Sequence, residues 1–228
     1  MNLTAAALSM LLVLGSCGTN QQTGTAVGAG SGAALGALVG GLLNNSHRGT
    51  GAAVGAAIGA AVGGTAGNLI GKHMDKVKAE AEAVKNAQVS TVTDANGLTA
   101  VKVTFDSGIL FQTNKYDLNA AAKNDLAQLA TTLKGNTDCE VAIQGYTDNT
   151  GNDGINLPLS ENRAKSVYNY LMSCGVKNSQ IKSVQGFGSS NPVADNSTAA
   201  GRQANRRVEV YLYASQAMVN AANNGTLQ

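Results

Sequence analysis

The sequence predicts an α+β fold, an α/β sandwich in which one sheet packs against helices, preceded by a helical hairpin of a different kind. Three observations predict it. Between residues 89 and 213, runs with strand period alternate with apolar stripes at helical spacing, the pattern of an α/β or α+β sandwich. Asn96-Gly97 between two β-rich runs is the signal of a hairpin. Upstream, two uncharged stretches of 21 residues, 23–43 and 50–70, place glycine at every fourth position.

Taken from the start, residues 1–16 read as an export signal, because the apolar run 5–14 is too short to span a bilayer. Leu14-Gly15-Ser16-Cys17 resembles the lipobox of bacterial lipoproteins. That resemblance implies acylation of Cys17, a new N-terminus there, and anchoring in outer-membrane lipid, since no Asp follows the cysteine. Residues 17–22 form the lipidated N-terminus and its spacer.

The next unit, residues 23–71, is an internal repeat. Gly24, Gly28, Gly32, Gly36 and Gly40 keep a period of four, as do Gly51, Gly55, Gly59, Gly63, Gly67 and Gly71. Period four lines glycine along one helix face, so two backbones can approach closely. A turn carrying His47 and Arg48 joins the two halves. Each half is about 31 Å long as a helix, enough to cross a bilayer core. Seven and six glycines in the two stretches cost a lone helix up to about 1 kcal/mol each, so lipid or a homo-oligomer must favour it. A flexible Gly/Ala linker is the alternative, but it has no reason to hold register. Residues 72–88 are charged and Ala-rich, with Asp75–Lys78 and Glu82–Lys85 as helical neighbours, and read as a solvated helical linker. His47 and His73 have no metal-ligand neighbours in sequence, and neither a metal nor a cofactor is expected.

The domain at 89–213 begins with the hairpin around Asn96-Gly97. A helix is expected over 119–133, with Ala122, Leu126, Leu129, Ala130 and Leu133 on one face, then a strand over 139–147. Pro158 followed by Ser160 reads as a helix start with Ser160 as N-cap, over 160–174. Strands follow at 181–187 and 207–213, and residues 214–228 read as a flexible tail.

Residues 143–163, IQGYTDNTGNDGINLPLSENR, carry the chemistry. Asp148 sits just past a strand and Arg163 in the first turn of the expected helix, where a cation opposes the macrodipole by roughly 0.3–1 kcal/mol. Either the two form a salt bridge that pins the loop, or they form a split site. In the second case the carboxylate takes a ligand ammonium and the guanidinium a ligand carboxylate. GYTDNTG, N-x-x-LS-x-x-RA-x-x-V and NRRVEV stand in the order and spacing of the OmpA-like C-terminal domains, and the chain resembles that family from about residue 98 to 213. The resemblance implies a βαβαββ arrangement. It also implies a peptidoglycan partner, with Asp148 and Arg163 binding meso-diaminopimelate of the stem peptide, Thr147 and Asn156 adding neutral hydrogen bonds, and Arg206 reinforcing the anion side. Tyr146 stands where the family more often has His, which is expected to alter packing and not the charge pair.

Cys139 and Cys174 remain once Cys17 is acylated, an even pair in an oxidising compartment. A strand–loop–helix unit brings their positions to one end, so a disulfide is expected, with two buried free thiols as the alternative. Net charge is +2 over the chain, and residues 89–213 hold 11 Lys+Arg against 11 Asp+Glu, which excludes a nucleic-acid reader. That domain has no histidine and no nucleophile beside a base, so an enzyme is not expected. The function expected is a non-catalytic outer-membrane lipoprotein, its C-terminal domain in the periplasm, holding the wall. A wall hydrolase or its activator, or a zipper-assembled pore with a wall tether, are the alternatives.

Overall fold

The computed structural model describes residues 62, 64–94 and 97–227. The export signal, Cys17, His47 and all but the end of the glycine zipper lie outside the described residues. Helix α1 (Gly64–Ala81) is followed by β1 (Ala87–Thr93), β2 (Thr99–Asp106), the short α2 (Ser107–Leu110), α3 (Ala120–Gly135) and β3 (Cys139–Gly145). Then come α4 (Asp153–Ser173), β4 (Ile181–Gly186), α5 (Ala199–Asn205), β5 (Arg207–Ala214) and α6 (Gln216–Asn223). One five-stranded sheet runs in the order β1-β2-β5-β3-β4. From β2 onward the chain is the expected βαβαββ, with β1 added as an edge strand through an antiparallel hairpin.

The sheet follows from alternation. Val210 is the register partner of both Val103 and Ile143, and all three are fully buried. Such rows face the helices, which contribute Leu126, Leu129, Leu133, Val167 and Leu171 to the same core. β3 and β4 are parallel, so α4 must cross over between them. Where α4 crosses, it lies on glycine. A Cβ on Gly145 would stand 2.1 Å from the Ser160 carbonyl oxygen, and one on Gly186 would stand 2.2 Å from the Glu161 nitrogen. Gly145 is the last residue of β3, and its bare backbone lets the helix approach.

Four expectations are corrected here. The charged run is not a solvated linker: α1 buries Ala66, Ile70, Met74, Val77 and Ala81 against the sheet. Its surface pair is Lys78–Glu82 at 2.7 Å, one turn apart. The tail is not loose: α6, capped by Ser215 Oγ accepting from Met218 N–H, buries Met218, Val219 and Ala222. The helix of the motif does not start at Ser160. It starts at Asp153, capped by the Asn152 side chain, and carries Pro158 inside it. Proline removes one N–H and presses on the carbonyl four residues back. Here that residue is Gly154, in the first turn of the helix, where little is lost. Ser160 donates to the Leu157 carbonyl and accepts from Gly188 N–H, which ties α4 to the loop after β4.

The fourth correction is the disulfide. Cys139 and Cys174 are both free thiols. The crossover does return the chain to the start of β3, but Cys139 Sγ points under α1, 4.0 Å from Met74 Sδ. Cys174 is the C-cap of α4, its carbonyl accepting from Lys134 Nζ. Burial, helped by the charges of Asp138 and Glu80, pushes the Cys139 thiol up to about 12, so without a bound cation it stays protonated at neutral pH.

Candidate functional site

The site lies where the C-terminal end of β3 meets the N-terminal half of α4 and the turn before β5. β3 ends at Gly145, and Tyr146, Thr147 and Asp148 leave the sheet in a segment anchored at both sides. Tyr146 N–H donates to the Arg207 carbonyl and Thr147 N–H to the Gly188 carbonyl. An open pocket of about 500 Å³ forms there. Ser107, Phe111, Thr147, Asp148, Arg163 and Arg206 contribute to its lining.

Asp148 is buried. Its Oδ1 accepts from Thr150 N–H at 2.8 Å and its Oδ2 from Arg206 Nη1 at 2.5 Å. Burial pushes this carboxyl up, but the hydrogen bonds from Arg206 and Thr150, with the Arg206 charge, outweigh it and hold the group below the usual carboxylate range. The ion pair of Asp148 is with Arg206, and no loop-pinning salt bridge to Arg163 forms. Arg206 reaches Asp148 through Nη1, and its side chain remains 39% exposed at the pocket lining.

Arg163 is only 4% exposed. Its Nε donates to the Lys115 carbonyl at 3.1 Å, and its guanidinium lies 5.2 Å from the centroid of the Phe111 ring. No described carboxylate is ion-paired with it, and no described residue accepts from its two terminal nitrogens. Burial and the nearby Arg206 charge lower its pKa, with Asp148 opposing them. Arg163 is the eleventh residue of α4 and far from the helix N-terminus, so the expected macrodipole penalty does not apply.

Thr147 and Asn156 are both in the pocket lining but differ in what they offer. Thr147 Oγ1 is buried without a hydrogen-bond partner among the described residues. Asn156 spends its amide on the loop, donating to the Thr150 carbonyl at 3.1 Å and weakly to that of Asp148. Ser107 Oγ is a second buried hydroxyl without a partner, and it too borders the pocket. Neither Ser107 nor Phe111 carried a signal in the sequence. They arrive through α2, a four-residue helix capped by Asp106, whose position depends on the Ser107 N–H bond to the Arg206 carbonyl.

Tyr146 and Arg207 sit behind the site. The Arg207 guanidinium lies 3.8 Å from the Tyr146 ring centroid and its Nε is 2.8 Å from Glu209 Oε1. Tyr146 stacks on Phe187 and donates to Gln144 Oε1. Arg207 is therefore packing at the sheet end, and Tyr146 is part of that packing.

Comparison with known proteins agrees with this architecture. The chain matches the OmpA family over residues 110–206 and the YMGG-like Gly-zipper over residues 1–75. It is 45% identical over 111 residues to the peptidoglycan-binding protein ArfA of Mycobacterium bovis, covering 49% of this chain and 34% of that one. It is 42% identical over 104 residues to the outer-membrane lipoprotein YfiB of Pseudomonas aeruginosa, covering 46% of this chain and 61% of that one. The match thus spans between about a third and three fifths of these relatives. In fold it resembles a putative MotB-like protein from Desulfovibrio vulgaris, with a TM-score of 0.55 at 22% identity, covering 66% of this chain and 96% of that one. By these matches the chain is similar to the OmpA family in its folded body and to the YMGG-like Gly-zipper ahead of it.

Proposed function

We propose that this protein tethers the outer membrane to peptidoglycan, and that the pocket binds meso-diaminopimelate of the stem peptide. The observation that carries the reading is Arg163: a buried guanidinium with no carboxylate partner, facing an open pocket beside a buried carboxylate. A buried charge without a counter-ion is expensive, and a ligand carboxylate would supply one in bidentate geometry. Asp148 keeps further lone pairs for a ligand ammonium, and Thr147 Oγ1 awaits a partner. An amino acid carries both charges on one carbon, as such a pair requires. The names of the relatives, one peptidoglycan-binding and one an outer-membrane lipoprotein, support the same reading. Acylated Cys17 would hold the other end in outer-membrane lipid, leaving the domain in the periplasm. The protein acts by binding and not by catalysis.

The test is sedimentation with purified sacculi. Truncating one partner of a desolvated pair costs about 2–5 kcal/mol, so Asp148→Ala or Arg163→Ala should abolish co-sedimentation of a folded domain. Free meso-diaminopimelate should raise the melting temperature of the wild type. Full sacculus binding by Arg163→Ala, together with no ligand-dependent shift, would overturn the assignment.

A further inference from the structure

At the opposite end of β3 the fold assembles a group of side chains that the wall-binding site does not use. His73 comes from α1, Asp138 from the turn before β3, and Cys139 from the first residue of β3. Their ligand atoms all lie within 4.8 Å of one another. His73 Nε2 stands 3.4 Å from Asp138 Oδ2. In a tetrahedral zinc site, bonds of about 2.0–2.3 Å put neighbouring ligand atoms roughly 3.3–3.6 Å apart. The imidazole and carboxylate already have that separation, and the thiol needs only a side-chain adjustment to complete the face.

We propose that His73, Asp138 and Cys139 form a zinc site that clips α1 onto the start of β3. The donor set selects the ion. A thiolate disfavours magnesium and calcium, which take oxygen. One imidazole, one carboxylate and one thiolate make a mixed N/O/S set of the kind tetrahedral zinc accepts. The Asp138 side chain is 33% exposed, so the fourth position opens to water. On binding, the Zn–S bond forms as the Cys139 thiol gives its proton to solvent, and no electron is transferred. Met74, packed against the sulfur, closes the apolar side. The consequence is mechanical. His73 and Cys139 belong to elements far apart in sequence, and α1 is the segment by which the zipper enters the domain. An ion shared between them would hold that helix on the sheet.

The experiment uses the full chain in detergent, reduced and stripped of metal, with Co²⁺ as the spectroscopic probe and Zn²⁺ as competitor. One equivalent of Co²⁺ should give a thiolate-to-cobalt charge-transfer band that Zn²⁺ bleaches, and Zn²⁺ alone should raise the melting temperature. His73→Gln and Cys139→Ser should each weaken Co²⁺ binding by at least about a hundredfold and abolish the zinc-dependent shift, since even outer-shell changes cost 10–100-fold. Absence of the band in the wild type would overturn the site. So would a band that survives either substitution, which would report Cys17 or Cys174, or one that Zn²⁺ does not displace. If Cys139→Ser fails to fold, His73→Gln decides, because His73 lies at the margin of the core.

Discussion

Arg163 and Asp148 are both buried, yet they are stabilised in opposite ways. Asp148 has its partner inside the protein, whereas Arg163 has a backbone carbonyl and an aromatic ring but no anion. Removing the Arg163 charge should therefore cost the unliganded domain little. We expect Arg163→Met, which keeps the packing against Phe111, to stay within about 1 kcal/mol of wild type in urea unfolding or to gain stability, while losing sacculus binding. A loss above about 3 kcal/mol would mean that Arg163 is scaffold. Asp148 has the other sign. Its folded pKa lies below its unfolded value of about 3.9, so its contribution is complete above that pH and disappears as the pH falls through the lowered value. In Arg206→Ala the strongest lowering influence is gone, so the carboxyl should titrate at higher pH than in the wild type by carboxyl-carbon NMR. An unchanged midpoint would show that Arg206 does not set it. The same geometry explains why exchanging the charges, Asp148→Arg with Arg163→Asp, should not restore binding. An arginine at 148 would face Arg206, and no helix terminus enters the argument.

At the scale of elements, α4 is the piece that makes the site, and glycine decides where it sits. Gly186→Ala would drive a Cβ to 2.2 Å from the Glu161 nitrogen and 2.6 Å from its Cα, backbone atoms that cannot step aside alone. We expect a loss of about 1–3 kcal/mol or more, with weaker sacculus binding because Arg163 rides on the displaced helix. Gly135→Ala is the control: it meets nothing within 4 Å at the end of α3 and should be neutral or stabilising by up to ~1 kcal/mol. Equal stability of the two variants would remove the close-approach argument. Much of this was legible beforehand. Strand alternation around Val208, Val210 and Leu212, the apolar stripe of α3 and the motif order all survive in the structure. The start of α4 was not, because Pro158 is a helix breaker by its own chemistry and only the Asn152 cap ahead of it reveals the roughly two additional turns. Ser107 and Phe111 were illegible for another reason. What brings them to the pocket is a long-range backbone bond to Arg206, which no local pattern encodes.

For the whole molecule, the packed body is larger than its motif-bearing part. The stripe Ala66, Ile70, Met74, Val77 and Ala81 was present in the sequence, but it straddles the end of the glycine period and the charged run, so neither compositional unit displayed it whole. α1 packs on β2 and on α6, and α6 returns to β5. A fragment covering 89–213 lacks both helices and bares the apolar surface that they cover. Ile70, Met74 and Val77 are each fully buried, and burial of such side chains contributes about 1.5–3 kcal/mol apiece before the entropy of ordering the helix. A single Met74→Ala change should then cost roughly 2–5 kcal/mol. We predict that a fragment spanning 62–227 unfolds in one transition, at a higher urea midpoint and with a steeper dependence on urea than 89–213, because more surface is exposed in that transition. Two separate transitions in the longer fragment, or identical midpoints, would show α1 and α6 to be passive appendages. Because the wall pocket lies at the other end of β3, the shorter fragment, wherever it remains folded, should still bind sacculi. That difference separates the role of α1 in holding the body together from the role of Asp148 and Arg163 in holding the wall.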